Sequence, residues 1–250
     1  MENTSFLITA RLKSTRLPKK ILLEVAGKPL IVHMLDRLKG AETIEKIIIC
    51  TSTHPQDDPL EIIAKEEGVC CHRGSENDVL QRLLDAAKKY HLTFFANITA
   101  DCPLVDPYLV DWAVKEHLRG HANLTMYDDS NNNLPFNCYV VKTKSLEKVV
   151  NNKTAHDTEV WLKYFLSDNE LKIHTIDPGQ KYYHSSLKTS VDYPDNYEFM
   201  KMVFAELYEE NKIFSLWDVI KLVKKYPDML AINANSVLVK RWRDHQQAVA

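Results

Sequence analysis

A chain of 250 residues with 32 Lys and Arg against 34 Asp and Glu carries a formal net charge of −2, too balanced for a general nucleic-acid binder. It has no run of about 18 apolar residues, so no membrane span is expected, and Met1-Glu2-Asn3-Thr4 lacks the basic region of a secretory leader. The length suits one α/β domain over residues 1–250 with a substantial core.

The first apolar run, Phe6-Leu7-Ile8, predicts a buried strand. It empties into a polar stretch with five cations and two hydroxyls: Arg11, Lys13, Ser14, Thr15, Arg16, Lys19 and Lys20. Such a loop at a strand's carboxyl end suits a small polyphosphate, since Arg offers a planar fork for phosphate oxygens and Lys a point charge. A solvated basic loop is the alternative for a bare charge cluster. A second apolar run, Ile21–Val25, predicts a short strand before the Gly27-Lys28-Pro29 turn.

Residues 29–40 carry apolar side chains at helical spacing: Leu30, Ile31, Met34, Leu35 and Leu38. Lys46–Cys50 predicts a buried strand of the parallel kind. A helix over Leu60–Glu67 follows, with Asp58 as its N-cap, Pro59 in its first turn and Gly68 at its end. A strand is expected over Val69–His72, a helix over Glu76–Lys89, a strand over Phe94–Thr99, and a helix from Pro107 through Trp112 and Leu118. Strand–helix alternation with short loops is the mark of a doubly wound, mostly parallel sheet flanked by helices.

The second half is less regular. Asp128–Asn133 reads as an exposed polar connection, Tyr139–Val141 as a strand, and His156–Phe165 as a helix. Leu187–Val191 predicts a strand, Tyr193–Glu209 a long helix capped by Asp195, and Leu216–Lys225 a last amphipathic helix. No internal repeat or low-complexity linker divides the chain. The five cysteines (Cys50, Cys70, Cys71, Cys102, Cys138) are scattered without C-x-x-C spacing, as expected for reduced thiols in a cytoplasmic protein.

Two carboxylates follow predicted strands, Asp101 and Asp192. Strand-end carboxylates facing the rim of a basic loop can hold Mg²⁺ against phosphates, although an aspartate before a proline is more often a helix cap. The sequence contains no Ser-His-Asp or Cys-His set.

The stretch Arg11…Ser14-Thr15-Arg16-Leu17-Pro18…Lys20 followed by Gly27-Lys28-Pro29 resembles the nucleotide-binding signature of the cytidylyltransferases. The likeness is nearest the branch with 3-deoxy-manno-octulosonate (Kdo) and acylneuraminate cytidylyltransferases and the SpsF-like spore-coat polysaccharide proteins. It extends along nearly the whole chain, to the segment from Ile213 to Asn233.

The resemblance implies a nucleotide-diphospho-sugar transferase-like, Rossmann-like fold. It also implies use of CTP and a small anionic acceptor, with a homodimer as one possible assembly. ITADCPLVDP and SVDYPDNYEFM are similar to the family's two metal-binding segments, which implies Asp101 and Asp192 as Mg²⁺ ligands. Arg11, Arg16 and Lys20 are the implied catalytic cations. Ala10, Ser14, Thr15, Thr99 and Ala100 join them as nucleotide-binding residues, and Arg73, Ser75 and Asp78 in the R-G-S-x-x-D-V-L-x-R stretch lie toward base or ribose. Asp78 and Arg82 have the alternative of an i, i+4 pair.

Two segments depart from the SpsF-like pattern. Leu134–Val140 lacks the Arg, Gly and acids of F-P-R-G-L-D-V-E-V, and Ala155–Glu159 replaces R-E-H-V-T. Those positions face the acceptor in the family, which makes Asn137, Tyr139, His156 and Asp157 the acceptor candidates. The expected activity is CMP transfer to an acidic sugar for a surface polysaccharide. Transfer to a small phosphonate or other non-sugar acid, and nucleotide binding without turnover, are the alternatives.

Overall fold

Alternate residues of the first strand, Thr4–Thr9 (β1), feed two different cores: Phe6 and Ile8 pack on one side, Leu7 on the other. The computed structural model describes residues 4–130 and 134–234. Glu24–Val25 (β2) and Lys28–Pro29 (β3) form a separate hairpin. The main sheet adds Ile44–Ser52 (β4), Cys70–Gly74 (β5), Phe94–Thr99 (β6), Leu124–Tyr127 (β7), Tyr139–Lys142 (β8) and Ile173–Ile176 (β9), in the order β5-β4-β1-β6-β8-β7-β9. Strands β5, β4, β1 and β6 run parallel, β8 opposes both neighbours, and β7 and β9 are parallel.

The helices are Leu30–Leu38 (α1), Asp58–Glu66 (α2), Val79–Lys89 (α3), Pro107–Gly120 (α4), Thr143–Asn152 (α5), Leu162–Leu166 (α6), Pro194–Leu207 (α7), Leu216–Lys225 (α8) and Asp228–Ala234 (α9). Residues of α1, α2, α4, α7, α8 and α9 cover the Phe6 and Ile8 side; those of α3, α5 and α6 cover the Leu7 side. The apolar spacing that predicts α3 is the reason it docks: Val79, Leu80, Leu83, Leu84 and Ala87 are all buried. Among the described residues no helix is long and apolar enough to cross a membrane.

Several expectations need correction. Ile21–Val25 is no single strand. A 3₁₀ turn over Lys20–Leu22 comes first, and β2 then turns through Ala26 (φ 48°) and Gly27 (φ 79°) into β3. Two consecutive positive φ angles match the twist of a two-residue hairpin turn. The expected strand Leu187–Val191 is absent, and the segment joins neither sheet. That segment is instead tied down by the Val191 N–H donating to the Asp101 carbonyl at 2.8 Å and by the Thr189 hydroxyl donating to the Pro135 carbonyl.

The helix expected over His156–Phe165 shrinks to α6, since Thr158 is held instead by the start of α3. Helix α3 itself starts at Val79 rather than Glu76, with Asp78 accepting from the Gln81 N–H. Helix α2 has Asp57, not Asp58, at its N-cap position. At the start of α7 Asn196, not Asp195, takes the free amides, those of Asp192 and Tyr193, at 3.1 Å each. Strands β7 and β9 and helices α5 and α9 had no sequence expectation. Residues 131–133 of the expected polar connection lie outside the described residues. All five cysteines are free.

Candidate active site

The chain leaves β1 toward β4 and β5 on one side and returns to β6 on the other. The crevice over the β1 and β6 ends is therefore a topological switch point, where open α/β sheets take ligands. The Ala100 N–H donates to the Thr9 carbonyl at 2.9 Å and closes its floor. A cleft of about 350 Å³ opens there, lined by Arg11, Lys13, Ser14, Thr15, Arg16, Lys20, Thr99, Ala100 and Asp101, with Val79, Arg82, Glu159 and Trp161 on a further wall.

The basic loop keeps its shape through one buried acid that the sequence did not single out. Asp57 is wholly buried and accepts from the Leu12 N–H at 2.7 Å and from the Ser52 hydroxyl. The Ala10 N–H donates to the Cys50 carbonyl at 3.1 Å, and the Leu17 N–H to Ser14 Oγ at 3.3 Å. Lys19 then takes a left-handed φ of 52°, which turns the chain into the 3₁₀ segment that presents Lys20.

The loop cations reach different acids. Lys20 Nζ lies 2.6 Å from Asp101 Oδ2 and 3.0 Å from Asp192 Oδ1, so the two carboxylates are no farther apart than these bonds laid end to end. Arg16 also bonds Asp192 Oδ1 at 2.8 Å and stacks over Tyr193 at 5.0 Å. Lys188 holds the other oxygen, Oδ2, at 2.8 Å. Thr99 donates to Asp101 Oδ1 at 2.5 Å. Arg11 pairs with Glu159 at 2.5 Å and Lys13 with Glu76 at 3.0 Å.

The charges tune one another. Burial pushes the Asp192 carboxyl up, but the Lys188 hydrogen bond and the charges of Lys20 and Lys188 outweigh it and hold the group at about 2. Burial likewise opposes the charge on Lys20, yet Asp101 and Asp192 raise its pKa above the ordinary value. Burial and the neighbouring Asp101 charge push the Cys102 thiol up, which leaves it a poor nucleophile.

Two carboxylates bridged by one ammonium are donors that suit a hard divalent cation. Among the described residues no group of three or more His, Cys, Asp or Glu could hold a metal ion. A cation on Asp101 and Asp192 would therefore need phosphate oxygens or water to complete its shell.

The remaining sequence candidates lie elsewhere. Arg73 spans from β5 to α2, bonding Asp58 at 2.6 Å, Glu61 at 3.1 Å and the carbonyls of Ser52 and His54. Ser75 Oγ accepts from the Asp78 N–H at 3.0 Å. Asp78 caps α3 and holds Lys153 and Thr158, docking the segment after α5 against that helix. It makes no pair with Arg82, whose Nη1 donates instead to the Ser75 and Glu76 carbonyls.

Asn137 bonds both backbone groups of Tyr127. Tyr139 packs edge-on against Trp161 at 5.1 Å, its hydroxyl pushed up to about 12 by burial. His156 and Asp157 are exposed, Asp157 accepting from the Glu159 N–H at 3.2 Å. Lys188 and Glu159 reach the site or its wall from irregular segments with no local pattern to single them out, whereas Arg82, on α3, ends the R-G-S-x-x-D-V-L-x-R stretch and is read from sequence only as an i, i+4 partner of Asp78.

A profile of the cytidylyltransferase family matches residues 5–225. The spore coat polysaccharide biosynthesis protein SpsF of Bacillus subtilis is 25% identical over 235 residues, 91% of this chain and 97% of that one. A cytidylyltransferase from Leptospira borgpetersenii superposes with a TM-score of 0.84 at 28% identity, over 92% of this chain and 97% of that one. CMP:2-keto-3-deoxy-manno-octonic acid synthetase, solved with CTP, shares the fold at a TM-score of 0.64 and 15% identity, over 82% and 99% of the two chains. With a profile match running from the first strand to the end of α8, over a cationic cleft at the sheet's switch point, the chain belongs to the cytidylyltransferase family.

Proposed function

We propose that this protein transfers CMP from CTP to an acidic sugar of the Kdo or nonulosonic type, with release of pyrophosphate, for surface polysaccharide synthesis. The observation that carries the reading is the shared hold of Lys20 on Asp101 and Asp192 beside Arg11 and Arg16. Phosphoryl-group transfer needs positioning and charge neutralisation more than a protein nucleophile. An acceptor oxygen bonds the α-phosphorus as the bond to pyrophosphate breaks. Arg11, Arg16 and Lys20 neutralise the β- and γ-phosphates as charge moves onto them, and Ser14 and Thr15 donate hydrogen bonds to phosphate oxygens. Asp101 and Asp192 would hold Mg²⁺, which when bound supplies Lewis-acid stabilisation of the α-phosphate.

With two of its three N–H donors on Asp101 and Asp192, Lys20 keeps one for a phosphate oxygen, so a bound phosphate would share this ammonium with the internal ion pair. A second acceptor class, a phosphonate or another non-sugar acid, is motivated by the departures of Leu134–Val140 and Ala155–Glu159 from the SpsF-like pattern.

The test is incubation with CTP, Mg²⁺ and a panel of sugar acids and phosphonates, scored by pyrophosphate release. Release with a Kdo- or nonulosonic-type acid is expected. Release only with a phosphonate moves the assignment to the second class, and tight CTP binding with no release from any acceptor overturns turnover altogether.

A further inference from the structure

Arg82 is wholly buried, yet two of its guanidinium nitrogens, Nε and Nη2, have no hydrogen-bond partner. Only Nη1 is engaged, by the Ser75 carbonyl and, at 3.2 Å, that of Glu76. A guanidinium keeps its charge in a protein, and buried donors without acceptors are costly and rare. The bare chain therefore leaves two parallel donors for a partner that it does not itself provide.

Their place narrows what that partner is. Arg82 lines the same cleft as Arg11, Lys20 and Asp101. Its neighbours on that wall, Val79 and Trp161, are apolar and suit a flat ring, whereas the loop cations suit phosphates. The backbone makes room for this side chain: a Cβ on Gly74 would come within 3.1 Å of Arg82 Cγ.

We propose that Arg82 reads the base of the nucleotide, donating from Nε–H and Nη2–H to the adjacent acceptors O2 and N3 of cytosine. This rests on the CTP reading above. Uracil presents O2 but an N3–H, so the same fork would face one acceptor and one donor. A site built to hydrogen-bond one pattern rejects the other strongly, because its buried donor is then left unpaired. Arg82 thereby selects CTP over UTP.

Calorimetric titration of the full chain with CTP, UTP and 3-deazacytidine triphosphate, whose N3 is a C–H, tests this. CTP should bind about tenfold or more tightly than either analogue, a difference of about 1.4 kcal/mol. Arg82→Lys keeps the charge but loses the parallel donors, and should erase the preference for CTP over UTP. The wild-type arm needs no variant, so the test survives a substitution that misfolds. Equal affinity for CTP and the 3-deaza analogue overturns the proposal. So does an unchanged CTP-to-UTP ratio in a folded Arg82→Lys variant, including one in which only acceptor affinity falls. Absence of CTP binding to the wild type is the separate failure of the nucleotide reading, and takes this inference with it.

Discussion

The ammonium of Lys20 sits 2.6 Å from the Asp101 carboxylate, although 81 residues separate them in the chain. The same ammonium reaches Asp192, so the two acids at the site do not face each other as bare like charges. Their mutual repulsion, which would make either one a liability to stability, is relieved by Lys20, Arg16 and Lys188. The resting site is thus neutralised internally, and its stability and its chemistry draw on the same contacts.

Lys20→Ala should lower kcat/KM for CTP by about 100-fold or more, the scale for losing one preorganised charge at a transition state. The Lys20 side chain is only 13% exposed, so unlike an open surface lysine it should also cost about 1–3 kcal/mol of stability. Steady-state kinetics with a denaturant melt checks both, and unchanged kinetics would remove the basic loop from the active site.

Asp101→Asn and Asp192→Asn should each depress turnover by orders of magnitude, with the double variant little worse than either, because groups acting as a unit are non-additive. Asp192→Asn should also destabilise the protein, by about 2 kcal/mol near neutral pH, since three cations lose their shared partner. Multiplicative kinetic losses in the double variant would mean that the two carboxylates do not share a task.

Acid should act through Asp192. Its carboxyl is held at about 2 against an ordinary 3.8. A depressed carboxyl takes up its proton more readily in the unfolded chain, so its contribution is full above about pH 4 and is lost as the pH falls through about 2. Lys20, raised above its ordinary 10.5, contributes fully below that value and is lost only as the pH rises through its folded pKa. Denaturation curves from pH 2 to 7 should show an acid slope that Asp192→Asn reduces, and an identical slope in that variant would assign acid lability elsewhere.

Asp57→Ala should loosen the basic loop without touching a cation. It strands the buried Leu12 N–H and Ser52 hydroxyl, at a cost of about 1–3 kcal/mol each. We expect a lower melting temperature and a raised KM for CTP, with Asp57→Asn recovering part of both. A folded Asp57→Ala variant with wild-type KM would show that the loop holds its shape by other means.

The amino-acid sequence alone determined the elements whose signal is local. Phe6-Leu7-Ile8, the Lys46–Cys50 run and Phe94–Thr99 are short apolar stretches between turn signals that read as buried strands, and α1, α3 and α8 carry apolar faces at helical spacing. The cationic loop and Asp101 were legible for the same reason, as residue types at the ends of β1 and β6, whereas Asp192 was placed after a strand that the structure lacks. Only the tertiary structure decided which partners meet. Strand β8 enters antiparallel beside β6, while Leu187–Val191, expected as a strand, joins no ladder. Asp57 turns from a helix start to clamp the loop, and Arg73 turns away from the cleft toward α2. Lys20 comes to bridge Asp101 and Asp192, and Arg82 is left with two donors. Periodicity and capping act over a few residues, whereas pairing partners are chosen by packing between segments far apart in the chain, and no local pattern encodes that choice.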